Sequence, residues 1–229
     1  MSMKTRLLKI EPHMLADHPF LTNTDLCHYL GEYHPEGDFE TPAEHRRIAD
    51  NRLLHDFNIP PQAEDPSARQ RKNRAIRHWA QKIKEALSDF AACKQHVFVS
   101  IPPPRIRTDE GYDDRMPQAL RHALGEDGRI VELIVQRKSE PAAGPATAQE
   151  RLPDLASIQA NYFIDEATAE LVSPDTAGIV LCDDLLATGA HFAAARNLLG
   201  ETFPQVRIMG LFLTRQTRPG SQGMPSPRR

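Results

Sequence analysis

The sequence is poor in the features that mark specialised classes. It has three cysteines in 229 residues. These are Cys27, Cys93 and Cys182, widely spaced and without a CxxC pair, which excludes a disulfide framework and a cysteine-based zinc site as organising devices. Cys182 sits in an apolar run and reads as a small buried side chain. No apolar run approaches the roughly 18 residues that a membrane helix needs. The basic start, Met1-Ser-Met-Lys-Thr-Arg6, leads into Leu7, Leu8 and Ile10 broken by Lys9, Glu11 and His13, too short and too polar for a signal peptide. A cytoplasmic protein without membrane contact is the expectation. Net charge is −3, so the global basic footprint of a nucleic-acid binder is lacking. The local exception, Arg69-Gln-Arg-Lys-Asn-Arg74 with Arg77, reads as a solvated helix face ahead of a phosphate-binding patch.

What is present is an alternation. Cys27 to Tyr33 reads as a short strand. Thr41-Pro-Ala-Glu44 reads as a capping box that opens a helix running to about Phe57, with Ile48, Leu53 and Phe57 apolar, and ending before Pro60-Pro61. Asp65-Pro66 opens a second helix in the same manner, in which Ile76, Trp79, Ile83, Leu87 and Phe90 recur at spacings of three or four and mark a core-facing stripe. Beyond it, short apolar runs alternate with helical ones: a strand from His96 to Ile101, a helix from Asp113 to Leu124 ending at Gly125, and a strand from Ile130 to Val135. A strand from Gly178 to Cys182, a helix from Ala190 to Leu199 ending at Gly200, and a strand from Val206 to Thr214 complete the series. Such alternation predicts an α/β fold with right-handed crossovers, a Rossmann-like parallel sheet flanked by helices. The chain divides into a mainly helical N-terminal hood (1–92), an α/β core (93–216) and a tail (217–229) whose Pro219, Gly220, Gly223, Pro225 and Pro227 read as disordered. Residues 137–150 have neither period nor bulk and read as a mobile lid or binding loop.

In an open parallel sheet, ligands bind beyond the carboxyl ends of the strands. Asp183 and Asp184 leave such a strand, and Ala187-Thr-Gly-Ala-His191 leads into a helix whose exposed backbone N–H groups and dipole favour a phosphate. Gly189 lets the chain approach that anion closely, and Thr188 offers a hydroxyl. Two adjacent carboxylates repel a phosphate, so they suit hydroxyl groups or a magnesium shell some distance away. A ligand with a phosphate at one end and vicinal hydroxyls beside it satisfies both halves. A glycosidase-like pair is the poorer reading, because neighbours on a strand point in different directions.

The segment Ile179-Val-Leu-Cys-Asp-Asp-Leu-Leu-Ala-Thr-Gly-Ala-His191 resembles the phosphoribosyl-diphosphate (PRPP) signature of the type I phosphoribosyltransferases, and Asp183-Asp-Leu-Leu-Ala-Thr-Gly189 looks like the form in adenine phosphoribosyltransferases. His191 is a departure: the family usually has threonine or serine there, on the 5-phosphate. Pro102-Pro-Pro-Arg-Ile-Arg-Thr-Asp109, directly after a strand, resembles the diphosphate loop of the ComF-like branch, and Glu150-Arg151 is similar to the arginine that follows the hood loop there. The resemblance covers residues 96–214 and implies the type I phosphoribosyltransferase fold. It implies a ribose 5-phosphate site at Asp183, Asp184, Ala187, Thr188, Gly189, Ala190 and His191, and a diphosphate site at Pro103, Pro104, Arg105 and Arg107. Lys138 and Arg151 are the further candidates for catalytic contacts to the diphosphate. The implied partners are PRPP and an acceptor base, with Mg²⁺ bound mainly through the diphosphate and no side chain assigned to it, in a homodimer. The rival expectations are a non-enzymatic PRPP or nucleotide sensor and a nucleic-acid-linked defence or competence factor that uses Arg69 to Arg77.

Overall fold

Eight strands and six α-helices follow one another in a computed structural model that describes residues 5–34, 42–88, 93–140 and 152–217. They are β1 (Leu8–Lys9), β2 (Cys27–Tyr33), α1 (Pro42–Phe57), α2 (Pro66–Leu87), β3 (His96–Ser100), α3 (Arg115–Leu124), β4 (Arg129–Val131) and β5 (Ile134–Gln136), then α4 (Leu155–Asn161), β6 (Tyr162–Ile164), α5 (Glu166–Ala169), β7 (Gly178–Leu186), α6 (Ala190–Thr202) and β8 (Arg207–Gln216). Six strands form one sheet in the order β1-β2-β8-β7-β3-β4, antiparallel only between β1 and β2. The fold is α/β, a mostly parallel sheet flanked by helices and compatible with a Rossmann-like arrangement. Among the described residues no helix is long and apolar enough to cross a membrane.

Side chains of successive strand residues point to opposite faces, and two apolar clusters result. Val97, Val99, Ile179 and Leu181 pack with Phe192, Ala195 and Leu199 of α6 on one face. Phe98, Val180, Cys182 and Leu213 pack with Trp79 and Ile83 of α2 and Leu120 of α3 on the other. The stripe along α2 is therefore core, and Trp79 is fully buried. Asp65 caps that helix, its carboxylate accepting from Ser67 N at 2.8 Å. Cys182 is fully buried, as its place in an apolar run suggested.

The sheet draws on both sides of the expected division at residue 92. β2 runs parallel to β8 inside it, and α2 covers one of its faces. Several element boundaries need correction, among them the start of α3 at Arg115 rather than Asp113 and the end of β8 at Gln216 rather than Thr214. The expected strand from Ile130 to Val135 is two: β4 pairs with β3, whereas β5 turns away to pair antiparallel with β6 in a separate two-stranded sheet. The break falls where Glu132 O accepts from Arg107 Nη2 at 3.0 Å and Leu133 O accepts from Asp165 N at 2.9 Å, so these carbonyls bond outside the six-stranded ladder. Helix α6 runs through Gly200 to Thr202, because its apolar face continues to the fully buried Leu199 and Phe203 N still reaches Leu199 O at 2.7 Å. Strand β7 continues four residues past Cys182, since β8 offers partners as far as Arg215. The tail begins later than expected: Thr217 is buried and its N donates to Tyr33 O at 3.0 Å. The capping residue Thr41, the side chains of Glu44 and Ile48, Phe90, and the rest of the tail lie outside the described residues.

Candidate functional site

Strands β3 and β7 lie side by side, and their connections part. β3 passes through α3 on one face to β4 at the sheet edge, whereas β7 passes through α6 on the other face to β8. Their carboxyl ends therefore bound a topological switch point, where an open parallel sheet leaves a crevice for a ligand. Ile101 N donates to Cys182 O at 2.9 Å and ties the two strand ends together. The proline-arginine loop leaves one of them and the Ala187-Thr-Gly189 turn leaves the other, so the two segments singled out in the sequence start as neighbours.

The turn is shaped from behind by the N-terminal segment. His18 Nδ1 donates to Ala187 O at 2.5 Å, and Phe20 N donates to Thr188 O at 3.1 Å. In trans peptides C=O and N–H point opposite ways, so drawing these two carbonyls back aims the N–H groups of Thr188 and Gly189 forward. Gly189 has φ 83° and ψ 6°, in the left-handed region, and a Cβ there would lie 3.0 Å from Leu21 Cγ and Cδ2. Glycine is thus required by both conformation and space. No side chain caps α6, apart from Thr188 Oγ1 accepting weakly from Ala190 N at 3.4 Å. The helix start keeps the donor character that suits an anion.

Because β7 is still a strand at the acidic pair, Asp183 and Asp184 leave the backbone toward opposite faces, although Asp183 Oδ1 turns back to accept from Asp184 N at 2.9 Å. Asp184 accepts from Arg115 Nη2 at 2.9 Å, and Arg115 Nη1 also reaches Asp113 at 2.9 Å. Asp113 in turn holds Lys72 Nζ at 2.6 Å, giving a row Lys72–Asp113–Arg115–Asp184 that is buried at its Lys72–Asp113 end and partly buried at its Arg115–Asp184 end. Burial raises the Asp184 pKa, but the charge and hydrogen bond of Arg115, with a hydrogen bond from Asn58, leave it below the ordinary carboxylate range. For Asp183, burial followed by the charge of Asp184 outweighs the backbone hydrogen bond from Asp184 and the charge of Arg115, and pushes it well above that range. Lys72 was read from sequence as part of a solvated basic face. It is 8% exposed and turned inward, because Asp113 and the Ile59 carbonyl (2.7 Å) await it.

Of the remaining candidates, His191 lies in the first turn of α6, with Nδ1 2.7 Å from the Tyr162 hydroxyl. Burial lowers its pKa, partly offset by the charges of Glu140 and Asp184. Arg105 is half-exposed and lies 3.7 Å from the Asp109 carboxylate. Arg107 is held by Glu132 at 3.2 Å and Asp165 at 3.0 Å. Pro104 is exposed, its carbonyl accepting from Glu140 N at 2.7 Å. Lys138 is exposed at its side chain while its backbone is gripped on both sides by the buried Asn161 amide, at 3.1 Å each. Arg151 lies outside the described residues, as does most of the expected lid.

A cleft of about 320 Å³ opens beside the proline-arginine loop, walled by Pro103, Ile106, Ile134 and Phe163 with Arg105 and Arg107. Asp183, Asp184, Lys138 and His191 are not in its walls, so the sequence-derived candidates divide between this cleft and the strand ends next to it. Among the described residues, no group of three or more His, Cys, Asp or Glu side chains is arranged to hold a metal ion. Sequence reasoning missed Arg115, Tyr162 and Asn161. Arg115 stands 69 residues from Asp184, and nothing local announces that pairing; residues 155–169 carry elements too short to show a period. No family model matches the chain, and no curated protein matches it.

Proposed function

We propose that this chain is a phosphoribosyltransferase acting on PRPP and a nitrogenous acceptor. The observation that carries the reading is the placement of two loops of complementary chemistry at one switch point. A glycine turn aims backbone donors from the end of β7, and a proline-stiffened, arginine-bearing loop leaves the end of β3 beside it. In this reading Thr188, Gly189, Ala190 and His191 hold the 5-phosphate, Asp183 faces the ribose hydroxyls, and Arg105 with Lys138 meets the diphosphate.

The reaction breaks the C1–O bond to diphosphate and forms a C1–N bond, the diphosphate leaving with the electron pair of the broken bond and the proton of the acceptor nitrogen passing to solvent water. No protein nucleophile is required. The chain's share is positioning and electrostatics: Asp183 orients the ribose hydroxyls, and the loop cations stabilise the departing diphosphate. Mg²⁺, when bound, neutralises the leaving diphosphate.

One observation favours a second reading, a PRPP or nucleotide sensor that does not turn over. Asp184 is neutralised within the protein by Arg115, and Arg107 by Glu132 and Asp165. Two of the charged residues that transfer would use are thus engaged by the fold. Release of diphosphate from PRPP in the presence of Mg²⁺ and a panel of purine and pyrimidine bases separates the two. Base-dependent release is expected for the transferase; binding without release from any base supports the sensor. A nucleic-acid role draws less support, since Lys72 at the centre of the basic run faces inward.

A further inference from the structure

Tyr162 opens β6 and sits in contact with the first turn of α6. Its hydroxyl lies 2.7 Å from His191 Nδ1. The phenol is 3% exposed, and among the described residues that ring nitrogen is its only hydrogen-bond partner. A buried hydroxyl that kept its proton unshared would bear the full cost of desolvation. The phenol therefore donates and Nδ1 accepts. Burial disfavours the charged ring, and a neutral imidazole that accepts at Nδ1 carries its proton on Nε2.

We propose that Tyr162 is a positioning residue: by holding Nδ1 of His191 as an acceptor, it fixes Nε2–H as the donor that stands in for a hydroxyl on the ligand's phosphate. The inference rests on the phosphoribosyl reading of the site. A threonine or serine hydroxyl both donates and accepts, so it tolerates a protonated ligand oxygen. An Nε2–H only donates, so it selects oxygens that only accept, those of a phosphate dianion. The surroundings of the phenol favour this arrangement: burial and then the charges of Asp183 and Glu140 push the Tyr162 pKa well up, keeping the phenol protonated as a donor. On the imidazole, burial outweighs the opposing charges of Glu140 and Asp184, so the ring's pKa still lies below its ordinary value.

The phenol is also held in place by its own backbone. Tyr162 N donates to Ile158 O and Gln159 O at the end of α4. Its neighbour Asn161 clamps the backbone of Lys138 from both sides, and β6 is paired with β5 through Tyr162 itself, opposite Gln136. A donor fixed on two sides orients the imidazole without a further loss of freedom on binding.

The test combines spectroscopy of the ligand-free protein with titration of ribose 5-phosphate. Long-range ¹H–¹⁵N spectra, with the His191 signals assigned by their loss in His191→Ala, are expected to show an unprotonated Nδ1 and a protonated Nε2 in the wild type. In Tyr162→Phe the proton is expected to redistribute toward Nδ1, and ribose 5-phosphate is expected to bind roughly tenfold more weakly, the range of one hydrogen bond to a charged group. In a His191→Ala background, Tyr162→Phe should cost no further affinity, which a purely structural tyrosine would not show. A wild-type ring protonated on Nδ1 overturns the proposal, as does a Tyr162→Phe protein that binds ribose 5-phosphate as tightly as the wild type. A wild type with the proton on Nε2 that takes up no ribose 5-phosphate overturns the phosphoribosyl reading while leaving the hold of Tyr162 on the ring established.

Discussion

Replacing Arg115 with methionine should lower the unfolding free energy at pH 7 by about 3 kcal/mol, the low end for removing one partner of a buried ion pair. In a protein of this size that corresponds to a fall in Tm of roughly 6–12 °C. The low end applies because Lys72 still balances Asp113 at 2.6 Å, leaving Asp184 as the uncompensated charge. The effect should depend on pH with a definite sign. The folded-state pKa of Asp184 lies below its ordinary value, chiefly through the charge of Arg115 acting against burial. Its contribution to stability is therefore present above the unfolded carboxylate range and is lost as pH falls through the depressed folded value. Thermal unfolding of both proteins across pH 3 to 7.5 should show a gap that is full near neutrality and closes on the acid side. A gap of constant size would mean that Arg115 contributes packing against the Phe57 ring, 5.5 Å away, rather than charge.

Gly189→Val should be the most damaging single change in the Ala187-Thr-Gly189 turn. A β-branched residue at φ 83° is strained by about 1–3 kcal/mol, and its Cβ would lie 3.0 Å from the Leu21 side chain. Leu21 is itself buried in the core cluster under α6, so it has little room to yield. We expect a loss of about 3 kcal/mol for valine and roughly half of that for alanine, together with loss of phosphate-ligand binding. The control lies in the same helix. Gly200 has open space around the position a Cβ would take, and Gly200→Ala should stabilise the protein by about 0.5–1 kcal/mol through helix propensity. Differential scanning calorimetry of the three variants should give shifts of opposite sign at the two glycines. Equal tolerance at both would remove the conformational reason for Gly189.

Much of this architecture could be read along the chain because its signals are local. A strand reads from the sequence around Cys27 to Tyr33, where β2 lies, and Asp65-Pro66 marks the start of α2 by a carboxylate that does cap the helix. The same holds for the strand-turn-helix around Gly189, where an apolar run, a glycine and an alanine-rich helix follow one another. What escaped was set by contacts between distant segments. Whether Ile130 to Val135 makes one strand or two depends on Arg107 and Asp165 reaching the backbone at Glu132 and Leu133, and neither is visible in the run itself. The inward turn of Lys72 depends on Asp113, 41 residues away. At the site, the residue types of the turn were legible, but the counter-ion on Asp184 and the phenol on His191 come from α3 and β6, elements whose relation to β7 exists only in three dimensions.

If the ends of β3 and β7 form a PRPP site, isothermal titration of PRPP with and without Mg²⁺ should show magnesium-dependent binding by the wild-type protein and none by an Asp183→Asn/Asp184→Asn variant, whose unfolding should remain cooperative. Absence of binding by a folded wild type, or equal binding by the variant, would contradict the assignment of the two carboxylates and the turn that follows them.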